Sequence, residues 1–230
     1  MPDAPQPAPE VPSPEPPAAH HDYFVDEAGD LTRFDARGRV LVGSEGVSRY
    51  FVVGAARVPD PLVLDIRLKE LRTELAADPY FAAVPSMQPA RGKTARLFHA
   101  KDDVPEVRRE VYRLLQREPI EVYAAFRRKA VLAAELRAHF EATGQKVGAA
   151  RVYDDLVTAV FTDRLHLAGE TRIVFARRGK ADRNVALAGA LALAQAKFER
   201  QHRQPAAGRV AVSSSTPSEA AGLQAVDYYL

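Results

Sequence analysis

The chain contains no cysteine, so structural disulfides and thiolate metal sites are excluded. It has no continuous apolar run of about 18 residues, the length that a membrane-spanning helix requires. Its start lacks the charged-then-apolar pattern of a secretory signal, so a cytoplasmic location and no membrane partner are expected. An excess of charge is missing too: 32 Lys+Arg against 30 Asp+Glu leave a net charge of +2. The sequence pI of 8.9 adds little, because near balance a few residues move it far. Any case for a polyanionic partner therefore rests on local clustering.

What remains is an ordinary globular composition, 47% apolar and 27% charged over 230 residues, which suits one soluble domain. Eight of the 17 prolines fall within residues 1–19. Such a segment buries too little apolar surface to offset its ordering entropy. Residues 1–21 are expected to form a disordered Pro-rich tail, either a solubilising segment or a ligand for a protein partner, with His20-His21 at its junction. Residues 22–230 then read as one folded domain. Short strands are expected at Tyr23–Asp26, Gly38–Val42 and Arg49–Gly54, followed by a helix over 61–77. Residues 78–96 carry several breakers and read as irregular. A helix opening at Pro105, a strand over 120–126, and helices over 129–142 and 149–167 follow. A buried strand at Ile173–Phe175, a helix over 184–202, a strand at Arg209–Val212 and a last helix within 217–230 complete the chain. Strands first, then strands and helices in alternation, predict an α/β domain with a mixed central sheet and helices on its faces.

Four constellations carry chemistry. Tyr23-Phe24-Val25-Asp26-Glu27-Ala28-Gly29 is an apolar strand that stops on two acids and turns at Gly29. An acid at the tip of a buried strand needs a compensating charge, for which a divalent cation is one source; the plainer alternative is a surface hairpin, with Asp30 as turn chemistry. Leu97-Phe98-His99-Ala100-Lys101-Asp102-Asp103 packs an imidazole, an ammonium and two carboxylates just before Pro105. Here Asp102 or Asp103 reads as a helix N-cap, or His99, Lys101 and Asp102 serve a phosphate, a water or a metal. Arg177-Arg178-Gly179-Lys180-Ala181-Asp182-Arg183 is the densest basic run, placed between a strand and a helix start where phosphate contacts gather. Arg91, Lys93, Arg96 and Lys101 form a looser basic stretch. Asp227 stands among apolar residues in Gly222-Leu223-Gln224-Ala225-Val226-Asp227, which favours a partnered acid. Gly92-Lys93-Thr94 is no phosphate-binding loop, because the required earlier glycine is Met87. No Gly-x-Ser-x-Gly elbow or His-Glu-x-x-His pattern occurs, and Ser213-Ser214-Ser215 reads as a loop leading into the last helix.

The segments Phe24–Gly29, Phe98–Lys101, Arg178–Lys180 and Gly222–Asp227 stand in that order. Together they resemble the bacterial and phage family catalogued as domain of unknown function thirty-eight-hundred, over residues 22–230. The resemblance implies an RNase H-like fold and a Mg²⁺- or Mn²⁺-dependent nuclease acting on RNA or DNA. It places the family's two best-marked acids on Asp26 and Asp227 and its histidine on His99. It further implies Asp26, Glu27, Asp102 and Asp227 as metal ligands, and Lys101, Arg177, Arg178, Lys180 and Arg183 as contacts to substrate phosphates. Two departures are visible. Ala176 stands where family members often carry an acid, and the last helix stops three residues after Asp227, so it is expected to be truncated. The alternative expectation is a catalytically inactive module that binds nucleic acid or a protein partner with the same fold.

Overall fold

The computed structural model of the chain describes residues 19–29, 44–88, 93–177, 183–203, 205–206 and 208–230. The expected strand at 38–42, Asp30, most of the Pro-rich tail, Arg91, Arg178 and Lys180 lie outside the described residues. Five strands, β1 (His20–Ala28), β2 (Tyr50–Arg57), β3 (Glu121–Arg128), β4 (Glu170–Ala176) and β5 (Arg209–Ser215), form one sheet in the order β3-β2-β1-β4-β5. The β2 strand runs antiparallel to both of its neighbours, whereas β1, β4 and β5 are parallel. This is the α/β class expected from the sequence, a mixed central sheet with helices on both faces.

Strand alternation divides the core. On one face Phe24, Ala56 and Val174 pack with helices α1 (Pro61–Ala77), α2 (Pro79–Ala82), α3 (Pro105–Leu115) and α7 (Ala221–Tyr229). On the other, Tyr23, Val25, Phe51, Val53, Ile173 and Phe175 pack with α5 (Ala149–Phe161) and α6 (Asn184–His202). The remaining helix, α4 (Lys129–Thr143), continues from edge strand β3 and buries only Lys129 and Leu132.

Local chemistry explains the boundaries. The Asp60 carboxylate caps α1, accepting from the Leu62 and Val63 N–H groups ahead of a first-turn proline. Gly144 closes α4 in the left-handed conformation that L-residues disfavour. The structure also corrects several expectations. His20 and His21 belong to β1, paired in register with Glu170 and Thr171. Ser213, Ser214 and Ser215 lie on β5 beside Val174, Phe175 and Ala176; a strand of small polar residues has no apolar alternation to reveal it. The N-cap of α3 is Val104, and it makes no side-chain cap bond.

Candidate active site at the carboxyl end of the central strand

The β1 strand is the middle strand, and Asp26 lies near its carboxyl end. The chain connects β1 to β2 on one side, while β4 and β5 lie on the other. In open α/β sheets the crevice outside such a switch in strand order is where ligands bind. Cross-strand register fixes which way each acid points. Asp26 opposes Gly54 and Glu27 opposes Val53. Val53 belongs to the α5/α6 core, so Glu27 faces that side. Asp26 has the parity of Phe24 and faces α7. Adjacent strand residues point to opposite faces, and the expected Asp26-Glu27 ligand pair is therefore split by the sheet. The Asp26 Oδ1 accepts the Glu27 N–H at 2.8 Å. Gly29, at φ +76, ends the strand; a Cβ there would stand 2.4 Å from the Tyr50 carbonyl oxygen.

Helix α7 crosses the Asp26 face at van der Waals contact. A Cβ on Gly222 would fall 2.2 Å from the Phe24 ring, and one on Gly54 would fall 2.4 Å from the Leu230 side chain. The helix thus starts over Phe24 and ends over Gly54, the direct cross-strand partner of Asp26. Asp227 lies on its last turn, three-quarters shielded from solvent.

From α7 a polar stripe reaches the segment that follows residue 97. Gln224, Asp227 and Tyr228, at i, i+3 and i+4, share one side of the helix. Gln224 Oε1 accepts the Phe98 N–H at 3.2 Å, and Asp227 Oδ2 accepts the Ala100 N–H at 2.8 Å. Between them, the His99 N–H is accepted by Asp103 Oδ2 at 2.8 Å. Three consecutive backbone donors are therefore held by three side chains. Asp103 is buried, and it also accepts from the Thr94 hydroxyl at 2.6 Å and from the Tyr228 hydroxyl. Burial and this carboxylate push the Tyr228 hydroxyl far above the ordinary phenol range. Asp103 is thus an anchor for the loop, and the helix-cap reading is replaced.

His99 is set by these bonds. Its Nδ1 accepts the Lys101 N–H at 3.3 Å and stands 3.9 Å from both Asp227 Oδ2 and Asp102 Oδ2. The Asp102 carboxylate is held by Lys93 Nζ at 2.8 Å, a bond that lowers its pKa, with further help from the Lys101 charge. His99, Asp102 and Asp227 are brought together, with Lys101 exposed beside them. Among the described residues, however, no three of His, Asp and Glu are grouped so as to hold a metal ion. One residue beyond the Val25–Phe175 pair, Ala176 follows beside Asp26 on the same face, where it packs against the α7-side core. The carboxylate that the resemblance leads one to expect there is replaced by a methyl group.

The basic run divides. Arg177 lies 3.8 Å from Glu219, next to α7. Arg183 does not join it: its guanidinium bonds Asp154 at 2.6 Å and covers the Tyr153 ring at 5.1 Å, tying α6 to α5 on the opposite face. This corrects its expected role as a phosphate contact.

Two residues of the site escaped sequence reasoning. Gln224 sits in the last helix as an unremarkable amide. Arg72 on α1 donates to Gln224 Oε1 at 3.4 Å and stacks over Phe98 at 4.8 Å, and burial lowers its pKa. The only signal for Arg72 is a cation in a helix whose neighbours Leu68, Leu71 and Leu75 are apolar.

No family model matches the chain, and no curated protein is significantly similar to it. Among solved structures it is similar to the ribonuclease H2 from Pyrococcus horikoshii OT3, at a TM-score of 0.44 and 10% identity, over 91% of this chain and 69% of that one.

Proposed function

We propose that this chain is a divalent-metal-dependent nuclease of RNase H-like type, akin to the family it resembles, acting on RNA or DNA. The observation that supports this reading best is the placement of Asp26 and Asp227. Asp26 lies near the carboxyl end of the central strand on the face that α7 crosses, and Asp227 stands on the last turn of α7, where Oδ1 makes no hydrogen bond among the described residues while Oδ2 is held by Ala100. Two hard carboxylate donors fit Mg²⁺ or Mn²⁺, since Mg²⁺ is commonly bound by one or two carboxylates together with waters and substrate phosphates. Held by Asp26 and Asp227, the ion would acidify a water and stabilise charge on the phosphoryl oxygens.

The chain's own groups do the rest. His99 Nδ1 accepts a backbone N–H, an arrangement that assigns the ring proton to Nε2. His99 thereby presents a donor to a phosphate or leaving oxygen. Lys101, outside any ion pair among the described residues, and Arg177 supply positive charge for the backbone of the substrate.

A second reading, a nucleic-acid-binding module without catalysis, is favoured by one observation, the methyl group of Ala176 beside Asp26. Calorimetry with Mn²⁺ and cleavage of labelled RNA and DNA separate the two. Nuclease function predicts ion binding and cleavage that Asp26→Asn removes, and tighter ion binding in Ala176→Asp, which supplies a third carboxylate. Undiminished metal-dependent cleavage by Asp26→Asn would overturn the assignment. Oligonucleotide binding in EDTA with no products in Mn²⁺ would establish the module instead.

A further inference from the structure

At the amino end of β1, on the sheet face opposite Asp26, four polar atoms are buried with no hydrogen-bond partner among the described residues: His21 Nδ1, Tyr23 Oη, Thr171 Oγ1 and Arg164 Nε. Register explains why they gather there. Tyr23 and Ile173 are paired and belong to the α5/α6 core, so His21 and its partner Thr171, one pleat repeat earlier, face the same side. The His21 ring meets the Tyr23 ring edge to face at 6.1 Å, and the Tyr123 ring lies 6.4 Å from Tyr23. Arg164, just after α5, lays its guanidinium 3.9 Å over Tyr123 and gives one donor to the Val160 carbonyl at 2.6 Å. Beside them Arg57 is neutralised by Glu121, which also accepts from the Tyr123 hydroxyl. Burial, then the Arg57 charge, lowers the His21 pKa, so its ring is neutral. Arg164 has no acidic partner among the described residues, and the cluster is left with one uncompensated positive charge.

We infer that His21, Tyr23, Thr171 and Arg164 form a binding site for a small inorganic anion of chloride size. Each of the four can donate: the Tyr23 and Thr171 hydroxyls, the Arg164 Nε–H, and a neutral His21 ring with its proton on Nδ1. A buried polar atom without a partner is costly, and the choice of occupant follows from the set. A buried water makes about three hydrogen bonds and must donate in some of them, and it brings no charge to the guanidinium. An anion accepts from every member and compensates Arg164. Tyr23 and Thr171 are fully buried, and Phe161 closes on the Tyr23 ring at 5.3 Å. That enclosure suits a monatomic ion and not a nucleotide, and the packing of the domain itself covers it. Bound there, the ion would tie the residues after α5 to the start of β1, the strand that bears Asp26.

The test is thermal unfolding of the full chain in sodium gluconate and in sodium chloride at equal ionic strength. Replacing gluconate by about 200 mM chloride should raise the Tm of the wild type saturably, by about 4–7 °C for a Kd of about 10 mM. Tyr23→Phe removes one hydroxyl and keeps the ring. In gluconate it should melt at or above the wild type, and it should lose most of the chloride response. Thr171→Val and Arg164→Gln should lose that response as well. A crystal soaked in bromide should show an anomalous peak within hydrogen-bonding reach of Tyr23 Oη and Arg164 Nε. An equal chloride response in Tyr23→Phe and the wild type overturns the proposal. So does a wild type that melts identically in the two salts, or a water in place of bromide in the soaked crystal. No divalent metal or nucleic acid enters the experiment, so its outcome is independent of the nuclease reading.

Discussion

Replacing Asp103 tests whether the candidate site is organised as described. The carboxylate is 3% exposed and accepts three donors, the Thr94 hydroxyl, the His99 N–H and the Tyr228 hydroxyl. Hydrogen bonds to a charged group contribute about 1.5–3 kcal/mol each, so the three together oppose a carboxylate desolvation cost of several kcal/mol. Asp103→Ala removes the acceptor but leaves Thr94 and Tyr228 buried without it, at about 1–3 kcal/mol per orphaned group. The net loss is about 3–5 kcal/mol. Asp103→Asn keeps one acceptor oxygen for His99 and Tyr228, and its amide can donate to a rotated Thr94 hydroxyl; its cost is about 1–2 kcal/mol. In urea, with a slope of about 3 kcal/mol/M for a domain of this size, the midpoint of Asp103→Ala should fall by about 1–1.5 M and that of Asp103→Asn by less than half as much. Asp102→Ala is the contrast, since its exposed pair with Lys93 contributes no more than about 1 kcal/mol. Equal midpoints for Asp102→Ala and Asp103→Ala would refute the reasoning.

Gly222→Ala should cost about 1–3 kcal/mol through overpacking, since its methyl would strike the Phe24 ring; Phe24→Leu in the same chain should recover part of that loss in a double-mutant cycle. Tyr23 is fully buried, and its hydroxyl has no hydrogen-bond partner among the described residues. Tyr23→Phe should therefore be neutral or stabilise by up to about 1 kcal/mol in thermal melts. Burial raises the Tyr23 pKa to about 12, so stability that is complete below pH 10 should decline towards pH 12 in the wild type, and that part of the decline should vanish in Tyr23→Phe. The Arg57 guanidinium, followed by the Tyr123 hydroxyl, holds Glu121 down at about 2. Its contribution is present above the ordinary glutamate range and is lost as pH falls towards 2, and Arg57→Gln should flatten that acid limb of the stability curve by less than about 1 kcal/mol, because the pair is half exposed.

Much of the fold could be read from periodicity, and what could not shares a physical cause. Helices α1 and α6 fall at 61–77 and 184–202, as expected. The central position of β1 was signalled by Tyr23-Phe24-Val25, an apolar run that only a strand covered on both faces sustains. By contrast, only the Arg209–Val212 part of edge strand β5 is expected, because the serines that extend it to Ser215 carry no pattern. Asp26 and Asp227 could be singled out because polar residues in apolar company are costly, and His99 because its segment crowds an imidazole, an ammonium and two carboxylates together. Which acids share a face could not be seen so easily, because it depends on register: one residue separates Asp26 from Glu27, and that one step moves a carboxylate to the far side of the sheet. Arg183 was misplaced for a related reason, since a basic run looks uniform along the chain while its first and last members leave on opposite faces. The partners of Gln224 and Arg72 are 126 and 152 residues distant, and no local pattern announces such bonds.

The position of Asp227 follows from how α7 divides its surface. Gly222 and Leu230 lie against the sheet, one over Phe24 and the other over Gly54, and this sets the height and direction of the helix above Asp26. Gln224, Asp227 and Tyr228 face away towards the loop and take up its backbone donors directly or through Asp103. The bonds that aim the Asp227 carboxylate are therefore the bonds that shape the segment carrying His99. A substitution that shifts the helix against the sheet must move both groups together, whereas one that loosens the loop moves His99 and leaves Asp227 over the central strand. This separation makes Gln224 and Asp103 supports of the imidazole, and Gly222 a support of the acid pair.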